Sequence, residues 1–192
     1  MLATGLATAA LAGQASSGDR GVVLEFPGGT VVAVIDGLGH GKDACVAAVA
    51  AERALASNPA APVEELVRRC HEQLRHTRGA VMTVASFVPG AMTWVGVGNV
   101  EGLLLRGALV EAIAMRGGIV GYQLPPLAPR RLTVSTGDTL VLATDGIRHG
   151  FRVELDHRDP QAIADAVLAN WSKGTDDACV VVARYTGPRG AA

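Results

Sequence analysis

Val31-Val32-Ala33-Val34-Ile35-Asp36-Gly37-Leu38-Gly39-His40-Gly41 carries an unbroken apolar, largely β-branched run into an acid and then into a glycine-rich turn. The run is too short and too β-branched for a helix and reads as a buried strand. It ends on a carboxylate, which is costly to bury without a partner. Upstream, Gly21 to Phe26 is a second apolar run, and Pro27-Gly28-Gly29 between the two supplies turn-compatible dihedrals. The pair is predicted to form an antiparallel hairpin. Downstream, Ala44, Ala47, Ala48, Ala51 and Leu55 recur at helical spacing from His40 to about Ser57, with Lys42, Asp43, Glu52 and Arg53 off the stripe. That is an alanine-faced helix suited to close packing.

A second helix is expected from about Pro62 to His76, with Glu64 and Glu65 near its positive end and Arg68, Arg69, Arg75 and His76 toward its negative end. Ala80 to Met115 returns to strands broken by Pro89-Gly90, Gly98-Asn99 and Arg106-Gly107-Ala108, the pattern of an antiparallel meander. Gly117 to Arg131 is rich in proline and glycine and reads as an irregular surface loop able to meet a substrate. Leu132 to Val134, Thr139 to Thr144 and Ala178 to Tyr185 read as strands, and Pro160 to Trp171 as an amphipathic helix. The first fifteen residues lack the charged start of a secretory leader and fit a strand better. Gly187 to Ala192 is expected to fray. This order of elements departs from strict β-α-β alternation and favours an α+β sandwich.

At 192 residues with 49% hydrophobic content, the chain suits one domain over 1–192. Its 17 basic and 18 acidic residues give a net charge of −1 without a basic patch, so neither nucleic acid nor an anionic membrane is an expected partner. No apolar segment is long enough to span a bilayer. Cys45, Cys70 and Cys179 form no C-x-x-C pair or zinc spacing and read as reduced core residues of a cytoplasmic protein.

The chemistry lies in the acids. Asp145 closes Thr139-Leu140-Val141-Leu142-Ala143-Thr144 as Asp36 closes its own strand, and each is followed by glycine. Asp19 in Ser17-Gly18-Asp19-Arg20 and the Asp176-Asp177 pair also adjoin strands. Either Asp-Gly alone would read as a turn. Together the acids suggest a shared site for hard divalent cations, which take oxygen ligands; Asp36 is the candidate to bridge two ions, with the Gly37 carbonyl exposed as a further ligand. Such a pair readies water for attack on a phosphate ester without a covalent intermediate. Gly37 to Gly41 resembles a nucleotide loop only superficially, since its glycine spacing is wrong and Lys42 is followed by Asp43. His71, His76, His149 and His157 show no metal spacing and read as solvated; Trp94 and Trp171 read as packing residues.

Asp19, Asp36-Gly37, Gly98-Asn99, Asp145-Gly146 and Asp176-Asp177 occur in the order found in the PPM-type metal-dependent serine/threonine protein phosphatases, which the chain resembles from about Ser17 to Tyr185. The likeness is to the small bacterial branch with SpoIIE, and within it to the RsbX-type feedback phosphatases of the stressosome. It implies a four-layer α-β-β-α sandwich of two antiparallel sheets flanked by helices, with two divalent ions, manganese preferred and magnesium possible. It also implies that Asp36 bridges the ions, that Asp145 and Asp176 bind the first, and that Asp19 with the Gly37 carbonyl serves the second. Asn99 and Asp177 would support the ligands, Arg20 is the candidate to hold substrate phosphate, and His40 is the candidate proton donor, although the larger relatives place a histidine where Leu38 stands. The implied substrates are phosphorylated STAS-domain proteins of the stressosome, dephosphorylated to reset stress signalling. The alternatives are SpoIIE-like action on a free anti-sigma-factor antagonist, or a binding module of this fold that has lost turnover.

Overall fold

The computed structural model describes residues 1–153 and 159–188. Residues 189–192 of the tail expected to fray, and His157, lie outside the described residues. In chain order the elements are β1 (Leu2–Ala9), β2 (Asp19–Phe26), β3 (Gly29–Gly37), α1 (Lys42–Ala56), α2 (Val63–Leu74), β4 (Ala80–Val88), β5 (Ala91–Val97), β6 (Glu101–Arg106), β7 (Leu109–Ala112), β8 (Arg130–Thr133), β9 (Thr139–Ala143), α3 (Pro160–Trp171) and β10 (Ala178–Tyr185). They form two antiparallel five-stranded sheets, ordered β1-β10-β9-β6-β7 and β2-β3-β4-β5-β8.

The β3 run explains the layering. Successive strand residues point to opposite faces. Val31, Ala33 and Ile35 bury against α1 and α2, in a cluster with Ala47, Ala48, Leu55, Leu66 and Leu74. Val32 and Val34 turn inward and meet Leu140, Leu142 and Val181 of the other sheet. On that sheet's outer face, Val180 and Val182 pack against Ile163, Ala164 and Val167 of α3. A strand buried on both faces needs no polar alternation, which is why its sequence shows none. The result is the expected four-layer sandwich.

The β2–β3 ladder positions the first two acids. The tight turn at Pro27-Gly28, with Gly28 at φ 90°, pairs Phe26 with Gly29. Register then carries back along the hairpin to place Asp19 opposite Asp36. The alanine face of α1 lets the helix approach so closely that a Cβ on Gly37 would lie 2.2 Å from the Ala44 carbonyl oxygen.

Three expectations change. The strands from Ala80 to Met115 are no simple meander: β4 and β5 stay in the sheet of β3, while β6 and β7 join that of β9. The Gly98-Asn99 break is a passage between sheets, and it carries Asn99 to their common end. The 117–131 loop is also anchored. Val120 is buried and exchanges hydrogen bonds with Ala80, each N–H donating to the other's carbonyl at 2.9 Å. His71, expected to be solvated, accepts the Gly121 N–H on Nδ1 at 2.9 Å. β7 lies at a sheet edge with all four residues exposed, Leu109 and Val110 among them.

Candidate active site

Asp36, Asp145 and Asp176 line one cleft of about 340 Å³ with Leu38, Gly39, His40, Val81, Asn99 and Ile119. Larger hollows, of about 540 Å³ beside Phe26 and Pro89 and about 490 Å³ between α1 and α2, gather no cluster of acids. Asp36 comes from the end of β3, Asp145 from just beyond β9, and Asp176 from just before β10, so the cleft joins the ends of both sheets.

Both glycines that follow acids serve close approach. Neither Gly37 nor Gly146 has positive φ. A Cβ on Gly146 would lie 1.9 Å from the Asp177 carbonyl oxygen, so the absence of a side chain lets the Asp145 turn press against the Asp176-Asp177 backbone. That contact is sewn by hydrogen bonds: the Thr144 N–H donates to the Cys179 carbonyl at 3.0 Å, the Cys179 N–H to Thr144 Oγ1 at 2.8 Å, and the Lys173 N–H to the Gly146 carbonyl at 2.8 Å. Asn99 Nδ2 donates to Asp145 Oδ2 at 2.9 Å, fixing that carboxylate from the side.

The adjacent acids Asp176 and Asp177 do different things. Asp176 faces the cleft, and its Oδ1 accepts the Asp177 N–H at 2.9 Å. Asp177 is buried, and its two oxygens accept the Leu11 and Gly18 N–H groups at 2.7 Å each. It ties the segment before β2, and hence Asp19, to the start of β10.

Asp19 sits behind the cleft beside Asp36, 6% exposed, and its Oδ2 has no hydrogen-bond partner among the described residues. Burial pushes the Asp19 carboxyl up to about 7 against the pull of the Thr144 hydroxyl, with Asp177, Asp145 and Asp176 adding repulsion. Burial likewise pushes Asp36 up to about 8, reinforced by Asp19, Asp145, Asp176 and Asp177. Oxygen-rich, mutually repelling carboxylates with one orphaned oxygen suit hard divalent cations. Among the described residues no three His, Cys, Asp or Glu side chains close on a point as a ready-made chelate. The expected trio of Asp36, Asp145 and Asp176 therefore shares a cleft without converging on one position.

The family model for Stage II sporulation protein E (SpoIIE) matches residues 27–186, most of the chain. The chain belongs to the SpoIIE family. It is thus a member of the PPM-type protein phosphatases, enzymes that hydrolyse phosphate esters of serine and threonine. A solved structure described as "The bacterial stressosome: a modular system that has been adapted to control secondary messenger signaling" is 29% identical with a TM-score of 0.89, over 96% of this chain and 100% of that one. RsbX in complex with magnesium is 18% identical with a TM-score of 0.83, over 95% and 94%. The catalytic domain of the serine/threonine protein phosphatase PstP, in complex with two manganese ions, is 17% identical with a TM-score of 0.75, over 96% and 98%. No curated protein sequence matches the chain.

One SpoIIE-family expectation fails on geometry. Arg20 does not reach the cleft: it follows Asp19 on β2 and so points to the opposite face, where its Nη1 pairs with Glu52 Oε2 of α1 at 2.8 Å. Strand alternation alone would have separated these neighbours. His40 does line the cleft and is exposed. Leu38, Val81 and Ile119, apolar walls of the cleft, carried no signal in the sequence beyond hydrophobicity.

Proposed function

We propose that the protein is a manganese-dependent phosphatase acting on phosphoserine or phosphothreonine of STAS-domain proteins in the bacterial stressosome, in the manner of RsbX, resetting stress signalling. The observation that carries the hydrolytic reading is the cleft that Asp36, Asp145 and Asp176 line together, with Asp19 paired opposite Asp36 behind it. The likeness to the 29% identical stressosome structure supports the choice of partner.

In this reading Asp36, Asp145 and Asp176, together with Asp19 and the Gly37 carbonyl, would hold two divalent ions, with Asp36 the residue shared between them. When bound, the ions supply an activated water and positive charge for the phosphoryl oxygens. The protein's own part is positional. Asn99 fixes Asp145, Asp177 holds the backbone next to Asp19, and the apolar side chains of Leu38, Val81 and Ile119 form the walls around the reacting group. In this reading His40, which lines the cleft, donates a proton to the departing seryl or threonyl oxygen.

Incubation with manganese and a phosphorylated STAS-domain protein should release inorganic phosphate, and Asp36→Asn should abolish that release. Phosphate release that survives Asp36→Asn refutes the metal assignment, while release from a free anti-sigma-factor antagonist but not from the stressosome protein redirects the substrate.

A further inference from the structure

With Arg20 paired to Glu52, the cleft lacks the guanidinium expected in it, yet another stands at its rim. Arg78 lies over Gly39, so that a Cβ added to Gly39 would come within 2.9 Å of Arg78 Nη1. Gly39 lines the cleft between Leu38 and His40. Its φ of 85° already favours glycine, and the missing side chain also makes room for the guanidinium.

The backbone beneath Arg78 is held on both sides. The Thr77 N–H and hydroxyl donate to the Leu74 carbonyl at 2.9 and 2.8 Å, and the Gly79 N–H donates to Thr77 Oγ1 at 3.0 Å. The Leu38 N–H donates to the Gly79 carbonyl at 3.1 Å, which couples this segment to the cleft wall. The side chain is less constrained. Its Nη2 pairs with Asp43 Oδ2 at 2.9 Å, but the two side chains are 53% and 64% exposed, and ion pairs this open contribute little stability. Exchange of Asp43 for a better anion is therefore easy.

Charge supplies the reason for exchange. Asp36, Asp145 and Asp176 line the cleft, Asp19 and Asp177 lie close behind, and no lysine or arginine is among the lining residues. A phosphoryl dianion entering there needs donors from the rim, and a planar guanidinium can hold two of its oxygens at once.

We propose that Arg78 is the phosphoryl-holding residue of this phosphatase, leaving Asp43 to grip two oxygens of the substrate's phosphoryl group at the Gly39 rim of the cleft. The inference rests on the hydrolytic reading of the cleft and adds a substrate contact to it.

Two measurements test it: calorimetric titration of inorganic phosphate into the magnesium-loaded protein, and steady-state hydrolysis of p-nitrophenyl phosphate and of a phosphorylated STAS-domain protein with manganese. Arg78→Ala is expected to weaken phosphate binding and to raise KM for both substrates by about tenfold, the scale of one charge-assisted contact. Arg78→Lys should recover part of the loss, and Asp43→Asn should bind phosphate at least as tightly as the wild type. Arg75→Ala, which removes an exposed pair with Glu72, is the control expected to change nothing. Thermal melting establishes that each variant is folded. Wild-type behaviour of Arg78→Ala with phosphate and p-nitrophenyl phosphate overturns the proposal. So does a defect confined to the protein substrate, which would assign Arg78 to an acidic patch on the partner, and so does a wild type that binds no phosphate. A wild type that binds phosphate but hydrolyses neither substrate sinks the hydrolytic reading, while the phosphate titration of Arg78→Ala still decides this one.

Discussion

Ionising Asp36 without a cation costs free energy, because desolvation and the neighbouring carboxylates all oppose the charge. The ordinary carboxyl value of 3.8 rises to about 7 for Asp19 and about 8 for Asp36. The folded state thus keeps protons that the unfolded chain gives up. The stabilisation this provides is complete below about 3.8 and is lost as pH climbs through 7 and 8. Metal-free protein treated with a chelator is expected to melt at a lower temperature at about pH 9 than at about pH 5 because of these two groups, with Asp36→Asn flattening the slope and manganese restoring the alkaline melting temperature. A wild-type slope identical to that of Asp36→Asn would contradict the reading. At this scale the acids were legible in the sequence because each ends an apolar run. The choice between Asp176 and Asp177 was not, since adjacent residues of one type differ only in which way the backbone turns them. Arg20 misled because nearness along the chain is not nearness in space on a strand, and the position of Arg78 at the cleft was not legible because its approach to Gly39 joins segments far apart in sequence.

Between elements, the Asp145 turn and the Asp177 carboxylate act as fasteners. Asp177→Asn replaces one acceptor oxygen with a donor and faces a backbone N–H across 2.7 Å, whichever way the amide turns. Losing a charge-assisted bond and leaving a buried donor unpaired is expected to cost about 2–4 kcal/mol. Urea denaturation measures the loss, and faster hydrogen exchange at the Leu11 or Gly18 amide locates it. Unchanged exchange at both amides would rule out the fastening role. The helices and most strands were readable because their apolar periods and turn residues agree locally. The passage from β5 to β6 was not, because Gly98-Asn99 has the composition of a hairpin turn and only pairing with β9 reveals the change of sheet.

At the level of the whole molecule, the site exists because two sheets are pressed together: Asp19 and Asp36 belong to one, and Asp145 and Asp176 adjoin the other. Leu142, fully buried between the sheets, carries that contact close to the acids. Leu142→Ala is expected to lower stability by about 2–5 kcal/mol and to weaken manganese binding although it touches no ligand. Calorimetry reads the second effect, and unchanged manganese affinity in a folded variant would show that the sheets hold their spacing without it. The sheet of β2 to β5 can assemble from hairpins of neighbouring segments, but β10 lies inside the other sheet, between β1 and β9. As the ribosome feeds the chain outward, β1 must therefore wait for β10 to emerge before it finds its neighbour. The acid quartet is completed late in synthesis, so a nascent chain remains catalytically silent until residues up to Tyr185 have emerged.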